Sequence, residues 1–359
     1  MESASDREAS MPEVGPVMNP GHGEAFTPHM FSALWSAQNG WHDIGLRDIE
    51  HLSMHPATIG LHYGQVIVEG LKAHRQVDAT MGVFRPWCNA ERFQRSARRL
   101  AMPEVPESLF IRAVEELVAA DESWLSDDFS HSLYLRPLML GTDVSLMLRP
   151  ARTYRFLLMA FVAGGFFGSD MESISIWVDH EYSRAFPRGT GDVKVAGNYA
   201  PTFVAQMNAR KADCQQVMWL DAMEHRWLEE LGGMNVFIVR GTGAGAEVVT
   251  PELTGTLLPG ITRDSILTLA SRSGYVPREQ RISLDELRAG CLNGDITEMF
   301  ACGTAAVVTP VGRVSDAAGA FIIGDGKPGP VTVDLCAELT GIQHGTSPDP
   351  DGWVHHIAQ

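Results

Sequence analysis

Lysine is the scarcest of the charged residues in this chain. Only four of the 28 basic residues are lysines, and arginine supplies the rest. The 44 acidic residues give a net charge of −16, which repels phosphate backbones and anionic lipid surfaces. We therefore expect neither nucleic acid nor a membrane as a partner, and we treat each lysine as a candidate for a specific role.

The cysteines and histidines form no pattern that predicts a metal site. The five cysteines are odd in number, scattered and without CxxC spacing, which argues against a disulfide framework. The thirteen histidines show no HExxH spacing, so no metal is predicted. Scattered thiols are typical of a reducing compartment, and we expect a cytoplasmic protein.

Long hydrophobic runs are also missing. The longest, residues 156–168, contains Gly164 and Gly165 and is too short to span a bilayer. It is more typical of a buried strand that leads into a loop. The first residues are polar and acidic, without the basic and then apolar pattern of a signal peptide.

The 359 residues suggest about two domains, at roughly 100–200 residues per domain. Helical and extended patterns alternate in both halves without a regular βαβ repeat, which predicts an α+β fold. The predicted division is an N-terminal arm over 1–30, an N-terminal α+β domain over 31–166, an interdomain loop with the first strand of the next domain over 167–181, and a C-terminal α+β domain over 182–359.

Periodicity and end signals predict the main elements. Helical patterns predominate over residues 61–124, including a helix over 89–100 with Asn89 as its N-cap. The glycine-rich segment 241–247 joins two short extended stretches, which indicates a hairpin turn rather than a dinucleotide-binding loop. Other helices are predicted over 108–125, 199–212 and 261–273. Strands are predicted over 132–140, 154–163, 173–178, 216–220, 236–240, 247–250 and 304–310.

Lys194 differs from the other three lysines in its surroundings. It lies in GTGDVKVAGNYA, between two valines and among glycines. A lysine in apolar, closely packed surroundings has a lowered pKa and can act as a neutral nucleophile. A strand lysine that extends to solvent is the other interpretation of this context, and the context leaves both open. We interpret Lys72 as an exposed helical residue, Lys211 as part of a polar helix and Lys327 as a solvated turn residue.

Three further segments could bind an anion or a polar ring. In PGITRDSIL a helix begins at Ile261 and Thr262, whose free N–H groups could hold a phosphate. In CGTAAVV a turn at Thr304 and Ala305 could offer a hydroxyl and N–H groups. In LEELGG the carboxylate of Glu230 could pair with a ring nitrogen. Each segment alone is more typical of an ordinary helix start, a turn or a solvated pair of glutamates.

Taken together and in this order, the motifs resemble the branched-chain amino-acid aminotransferases of the fold-type IV, or class IV, pyridoxal-phosphate enzymes. The resemblance extends from about residue 40 to residue 353. The segments that carry it are LHYGQVIVEGLKAHR, FRPWCNAERFQRSARRLAMP, SLYLRPLMLGTD, GTGDVKVAGNYAPT, QVMWLDAMEHRWLEELGGMN, TPELTGTLLPGITRDSIL and EMFACGTAAVVTPVGRV.

The resemblance implies the residues that hold pyridoxal 5'-phosphate. Lys194 would be the catalytic residue, linked to the cofactor and later moving the proton. Glu230 would face the pyridine nitrogen and keep it protonated, and Tyr199 would bind the phenolic oxygen. Phosphate contacts are expected from Arg92, from the N–H groups of Ile261 and Thr262, from the Thr304 hydroxyl and, indirectly, from Arg184.

The substrate-binding residues are implied in the same way. Tyr134 and Arg136 would bind carboxylates, Ala305 would offer its N–H to the α-carboxylate, and Tyr63 would line the side-chain pocket. Four positions depart from the family pattern. Val68 replaces a phenylalanine, Phe166 replaces a tyrosine, Ala196 replaces a glycine near the lysine, and Gly233 stands where some relatives have threonine. We expect the changes at Val68 and Phe166 to enlarge or reshape the pocket.

The implied protein is a homodimer of the D-amino-acid-aminotransferase-like fold, with two α+β domains and the cofactor between them. It would transfer an amino group between an L-amino acid with a branched aliphatic side chain and 2-oxoglutarate. The loop 144–148 would reach towards the partner's active site. The alternatives are an aminotransferase of specialised metabolism for a bulkier or modified amino acid, a D-amino-acid aminotransferase or carbon–carbon lyase, and a non-catalytic binding protein.

Overall fold

Two β-sheets organise the protein, which is described here over residues 21–164 and 171–358 of a computed structural model. The strands are β1 (Phe26–Ser36), β2 (Gly40–Asp48), β3 (Val66–Val68), β4 (Leu71–Arg75), β5 (Met81–Phe84), β6 (Ser132–Gly141), β7 (Thr153–Ala163), β8 (Ile174–Val178), β9 (Gln216–Leu220), β10 (Leu228–Leu231), β11 (Met234–Arg240), β12 (Glu247–Thr250), β13 (Val276–Glu279), β14 (Ile296–Gly303), β15 (Val307–Asp316), β16 (Gly319–Ile322) and β17 (Val354–Ile357). The helices are α1 (Ile59–Tyr63), α2 (Pro86–Arg99), α3 (Glu107–Asp121), α4 (Phe203–Lys211), α5 (Ile261–Arg272), α6 (Leu284–Asn293) and α7 (Pro330–His344).

The first sheet has the strand order β17-β5-β4-β6-β7-β1-β2, with β3 beside β6. Its strand pairings are antiparallel. Helices α2 and α3 bury their apolar faces on this sheet, where Phe93 and Phe110 meet Phe156 at ring-centroid distances of 5.7 and 6.2 Å. Aromatic rings of this size remove a large apolar area from water, so they anchor both helices.

The second sheet has the order β10-β9-β8-β15-β14-β11-β12-β13 and mixes parallel with antiparallel pairs. Phe237 of β11 and Phe300 of β14 stack at 5.1 Å in the core that α5 and α7 cover. The chain returns at its end, since β17 pairs with β5 of the first sheet. Two separate sheets with helices packed against them confirm the predicted α+β class.

The segment that carries Lys194 is attached to the edge of the first sheet. Ile67 of β3 forms an isolated bridge with Val195, and the Val68 N–H donates to the Lys194 carbonyl at 3.0 Å. Val193 and Val195 are buried in the core of that sheet. The lysine is therefore fixed by strand-like contacts on both of its sides.

Several predicted elements are confirmed. Strands β9 and β12 have the predicted bounds, while β6, β7, β8 and α5 each differ from prediction by one residue. Strands β11 and β12 pair as an antiparallel hairpin around residues 241–246, as expected. The predicted helix over 199–212 is shorter, because two 3-10 turns precede α4. The domain boundaries stay predictions.

Other predictions are wrong. The helical pattern assigned to residues 61–124 hides three strands, β3, β4 and β5. Asn89 is not an N-cap: α2 already begins at Pro86, and Asn89 is buried inside it. The expected strand over 304–310 begins only at Val307, after a turn. Strand β1 begins at Phe26, within the segment predicted as an arm.

Two predicted features cannot be placed. The loop expected at 164–170 is described only at Gly164, and Phe166 lies outside the described residues.

No helix in the described part of the chain is long and apolar enough to cross a membrane.

Candidate active site

Lys194 and Tyr199 are joined by a direct hydrogen-bond contact. The Lys194 Nζ lies 3.0 Å from the Tyr199 hydroxyl, and its backbone N–H donates to the Ser96 hydroxyl at 3.0 Å. Asn198 fixes the loop between them, because its amide donates to the carbonyls of Thr190 and Val193 at 2.7 and 3.0 Å. The 3-10 turn that begins at Ala196 thus folds the tyrosine back onto the lysine.

The pKa of the Lys194 amine is not lowered, contrary to the expectation from its apolar neighbours. Burial alone would lower the pKa. Electrostatic attraction to the Tyr199 oxygen and the Glu69 carboxylate outweighs burial and raises the pKa above its ordinary value. The valines beside it in the sequence do pack in the core. The prediction failed because it considered neighbours along the chain and omitted the acids that the fold brings in.

Arg92 is held in a buried fork by Glu69. The Arg92 Nε and Nη2 atoms donate to the two carboxylate oxygens at 2.6 and 2.8 Å, and Nη1 donates to the Pro259 carbonyl at 3.2 Å. Asn89 and the Gly70 N–H also donate to Glu69, at 2.8 and 3.0 Å. Burial by itself would raise the pKa of Glu69, but Arg92 and these donors lower it below its ordinary value.

Glu69 is a site residue that the sequence reasoning missed. Its side chain is fully buried. The signal was a single carboxylate that closes the apolar run QVIVEG. A charge in such a place needs a partner, because an unpaired buried carboxylate is costly.

Glu230 occupies a buried position on β10, not a solvated turn. Its side chain accepts a hydrogen bond from the Leu258 N–H, and its Oε1 lies 3.2 Å from the Arg184 Nη2. Burial raises the pKa of Glu230, and Arg184 with Leu258 offsets only part of this effect. The carboxyl group can therefore accept a proton more readily than an ordinary glutamate.

The first turn of α5 faces the Arg92 fork. Its N-cap, Gly260, offers no side-chain acceptor, so the N–H groups of Ile261 and Thr262 have no partner inside the helix. The Thr304 hydroxyl donates to the Gly70 carbonyl at 3.0 Å. Asn89, Ile261, Thr262 and Thr304 line one void of about 20 Å³. The predicted phosphate-binding residues are thus gathered at one place.

A larger cavity is lined by Tyr199, the hydrogen-bond partner of Lys194. It measures about 800 Å³ and is lined in part by Arg184, Tyr199, Glu230 and Gly233. A methyl group at Gly233 would stand 3.7 Å from the Tyr199 ring, so the glycine leaves the ring face accessible. Tyr199 and Glu230, which we predicted to bind the cofactor ring, therefore line the same cavity.

The predicted carboxylate-binding residues lie beside Gly70 and the Thr304 turn. Tyr134 is buried, and a methyl group at Gly70 would collide with its hydroxyl, so only glycine fits there. The Arg136 guanidinium lies 5.2 Å from the centre of the Tyr134 ring. Ala305 packs against the small cluster that contains Tyr134.

Tyr63 is not brought to this cluster. It is 45% exposed on α1, and its hydroxyl donates to the Leu146 carbonyl at 2.7 Å. It thus belongs to the surface formed by α1 and the loop 144–148, and its predicted place in the pocket of the same chain finds no support in these contacts.

Lys72 is buried on β4 and is not the exposed helical residue that we predicted. Its Nζ donates to the Ala305 carbonyl at 3.1 Å, and burial lowers its pKa to about 8. The segment LKAH alternates like a strand but is too short to decide the assignment, and β4 is defined by its pairing with β5 and β6. Lys211 and Lys327 are not buried.

The arrangement fits pyridoxal phosphate. One end of the site combines an amine, a phenol and a buried carboxyl group of raised pKa. The other end combines a helix start with an arginine held by a glutamate. The amine can form the covalent link, the carboxyl group can share a proton with a ring nitrogen, and the helix start can hold a phosphate.

Comparison with known proteins agrees with this chemistry. A family model described as amino-transferase class IV matches residues 83–314, and the chain belongs to this family. Its relatives there are branched-chain-amino-acid aminotransferases. The one from Mycolicibacterium smegmatis is 49% identical over 342 residues, covering 95% of this chain and 93% of that protein.

Solved structures give the same answer. The branched-chain amino acid aminotransferase of Escherichia coli is similar with a TM-score of 0.77 at 27% identity, covering 92% of this chain and 100% of that one. Another branched-chain amino acid aminotransferase, complexed with N-(5'-phosphopyridoxyl)-L-glutamate, has a TM-score of 0.74 at 26% identity, covering 91% and 98%. That complex joins a phosphopyridoxyl group to glutamate on the same fold.

Proposed function

We propose that this chain transfers an amino group between L-branched-chain amino acids and 2-oxoglutarate, with pyridoxal 5'-phosphate as cofactor. The observation that carries the proposal is the Lys194 Nζ at 3.0 Å from the Tyr199 hydroxyl, beside a cavity that Tyr199 and the buried Glu230 line. The 49% identity to a branched-chain-amino-acid aminotransferase supports the substrate class.

The ring end of the site would be set by Lys194, Tyr199 and Glu230. When bound, pyridoxal phosphate supplies an aldehyde that links to amines and a ring that withdraws electrons from the substrate α-carbon. Lys194 Nζ is the amine placed to hold the cofactor and to move a proton at that carbon. The Tyr199 hydroxyl would bind the phenolic oxygen, and the Glu230 carboxylate would hold a proton on the ring nitrogen. Arg184 would orient Glu230.

The phosphate end would use fixed donors. The Arg92 Nη1 atom lies near the start of α5, where it donates to the Pro259 carbonyl, while Glu69 holds the Nε and Nη2 side of the guanidinium. The N–H groups of Ile261 and Thr262 and the Thr304 hydroxyl complete the set. Such preset donors keep a ligand in one orientation through both half-reactions, which lowers the entropic part of the barrier.

The substrate carboxylates would bind between β6 and the 303–306 turn. The Ala305 N–H would take the α-carboxylate, with the Tyr134 hydroxyl beside it. Arg136 would hold the second carboxylate of 2-oxoglutarate, because a guanidinium matches a carboxylate with two parallel hydrogen bonds. Val68, whose N–H binds the Lys194 carbonyl, and Phe166 would shape the side-chain pocket.

A homodimer is part of the proposal. Leu146, Met147 and Leu148 are 59, 67 and 86% exposed on the loop that Tyr63 binds. An apolar loop of this kind favours burial against another protein surface. We propose that this loop and Tyr63 complete the partner's substrate pocket. The five free thiols favour a reducing, cytoplasmic setting.

A substrate panel tests the reaction and its closest alternatives. Purified protein loaded with pyridoxal phosphate is given Leu, Ile, Val, bulkier amino acids and D-amino acids, with 2-oxoglutarate as acceptor. We expect the highest kcat/KM for the three L-branched-chain substrates and L-glutamate as product. Higher efficiency on bulkier side chains, which the small Val68 would admit, would favour the specialised alternative, and D-products would exclude the L-specific reaction.

The lysine assignment has a separate test. Borohydride treatment followed by digestion and mass analysis should find the phosphopyridoxyl group on Lys194, and Lys194→Ala should lose both adduct and activity. Lys211→Ala is the matched control, because Lys211 is exposed on α4. An adduct on another residue, or an active Lys194→Ala variant, would overturn the assignment.

A further inference from the structure

The turn at residues 303–306 is tied to the first sheet at two points. The Thr304 hydroxyl donates to the Gly70 carbonyl at 3.0 Å, and the Lys72 ammonium donates to the Ala305 carbonyl at 3.1 Å. Both ties run from the turn to one short segment, Gly70–Lys72. The carbonyl that Lys72 holds belongs to the residue whose N–H we assign to the substrate α-carboxylate.

Lys72 has a charge that its surroundings do not neutralise. Its side chain is 8% exposed, and no carboxylate forms an ion pair with it in residues 21–164 and 171–358. The residue opposite it on β6 is Tyr134, which contributes to the same carboxylate region. A buried ammonium with only a carbonyl partner is costly to maintain, and a nearby anion relieves that cost.

We propose that Lys72 is a positioning residue for substrate carboxylates: it fixes the Ala305 carbonyl and with it the backbone of the 303–306 turn that carries the Ala305 N–H, and its charge attracts the anion. The inference deepens the proposed function and rests on it. Lys72 acts through the turn and needs no contact with the reacting atoms. Its loss should therefore weaken substrate binding more than the chemical step.

Burial gives Lys72 a pKa of about 8, so the charge is lost as the pH rises through that value. Burial lowers the pKa of each of the three histidines nearby, His22, His74 and His344, and these rings stay neutral above pH 7. The other titratable groups that face Lys72 or its cavity are His131, Tyr134, Glu172 and Cys336, and burial raises the pKa of the Cys336 thiol to about 11. Substrate binding should weaken from about pH 7 to pH 9 as Lys72 deprotonates.

The test compares Lys72→Met and Lys72→Arg with the wild-type holoenzyme. KM and kcat are measured for 2-oxoglutarate and leucine at several pH values around 8. For Lys72→Met we expect KM to rise by about tenfold at pH 7, the loss expected for a charge-assisted hydrogen bond, while kcat changes less. The cofactor's visible spectrum and the Lys194 adduct should be unchanged, since Lys72 lines the small void with Ile261, Thr262 and Thr304 but forms no hydrogen bond with Lys194 or Tyr199 in the described residues.

The pH profile separates positioning from a merely structural role. The wild-type KM should rise as the pH increases through about 8. Lys72→Met should lose that rise, and Lys72→Arg should keep a low KM to higher pH because arginine stays charged. An unchanged KM in Lys72→Met, or the same rise of KM in all three proteins, would overturn the proposal.

The design remains decisive if Lys72→Met does not fold. Lys72→Arg preserves the charge, so its pH profile against wild type alone tests the titration. A wild-type enzyme without activity on any branched-chain substrate would contradict the proposed function instead. The two failures are thus distinct.

Discussion

Two buried arginine–glutamate pairs border the candidate site, and they are built differently. At the phosphate end, Arg92 grips Glu69 with two nitrogens at 2.6 and 2.8 Å. At the ring end, Arg184 reaches Glu230 through Nη2 alone, at 3.2 Å. The pKa of Glu69 is lowered and that of Glu230 is raised, although burial raises the pKa of both. At Glu69 the charge and hydrogen bonds of Arg92 help to outweigh burial, whereas at Glu230 Arg184 and the Leu258 N–H offset burial only in part.

The difference matches what each end of the site has to do. A phosphate needs a positive group that stays in place, and a carboxylate that never takes up a proton keeps Arg92 fixed. A ring nitrogen needs a carboxylate that shares a proton, and a carboxyl group of raised pKa does this at lower cost. The two pairs therefore form a fixed end and an adjustable end.

The largest expected effect comes from breaking the fixed pair. Glu69→Gln leaves Arg92 charged, buried and half satisfied, so we expect the free energy of unfolding to fall by about 3–5 kcal/mol. Urea unfolding of the cofactor-free protein measures it. The control is Glu104→Gln, which breaks an exposed pair with Arg98 and should cost at most about 1 kcal/mol. Equal losses in the two variants would mean that burial of the pair does not matter.

Breaking the adjustable pair should reduce activity rather than stability. Glu230→Gln removes the negative charge that holds a proton on the ring nitrogen, and we expect kcat/KM for leucine to fall about 10²–10³-fold. The unfolding free energy should change less than in Glu69→Gln, because a neutral side chain suits this buried position. Glu229→Gln is the control, since Glu229 lies next in sequence but lines a different cavity. Full activity in Glu230→Gln would remove Glu230 from the site.

Lysine substitutions sharpen the contrast. Arg92→Lys replaces a fork by a single point of charge and cannot reproduce the two bonds to Glu69, so cofactor affinity should drop about tenfold or more. Arg184→Lys keeps most of its contacts, because Nη2 alone contacts Glu230 and the carbonyls of Gly191 and Thr256. Its effect should be a few-fold. Fluorescence titration of the apoprotein with pyridoxal phosphate measures both. A larger loss in Arg184→Lys would reverse the assignment of the two ends.

Some parts of the site could be predicted from the sequence and others could not. Lys194 and Tyr199 lie within one motif, and a local 3-10 turn brings them together. The start of α5 was visible in the same way, since Pro259, Gly260 and the apolar spacing that follows mark a helix start. The candidate site could be predicted wherever its geometry is local.

The partners from distant segments could not be predicted. Glu69 and Arg92 meet only because α2 packs beside β3 and β4, and this packing also turns Asn89 from an expected N-cap into a buried donor to Glu69. Lys72 was misassigned because β4 is only five residues long and its side chains are buried on both faces of the sheet, including the polar ones. Secondary-structure propensity depends on neighbours along the chain, whereas the roles of Glu69, Arg92 and Lys72 depend on contacts with distant segments.

The smallest expected effect is the pH dependence of stability, which should have opposite signs at the two ends. The lowered pKa of Glu69 means that its stabilising contribution is present above the ordinary value of 4.5 and is lost as the pH falls through the folded value. The raised pKa of Glu230 means that its contribution is present below 4.5 and is lost as the pH rises through the folded value.

Unfolding of the cofactor-free wild type, Glu69→Gln and Glu230→Gln in urea on both sides of pH 4.5 measures these contributions. The advantage of wild type over Glu69→Gln should grow as the pH rises towards 4.5 and then stay constant. The advantage over Glu230→Gln should shrink, or become a deficit, as the pH rises from 4.5. Parallel trends would mean that both carboxylates are held alike, although Arg92 donates two hydrogen bonds to Glu69 and Arg184 only forms an ion pair with Glu230.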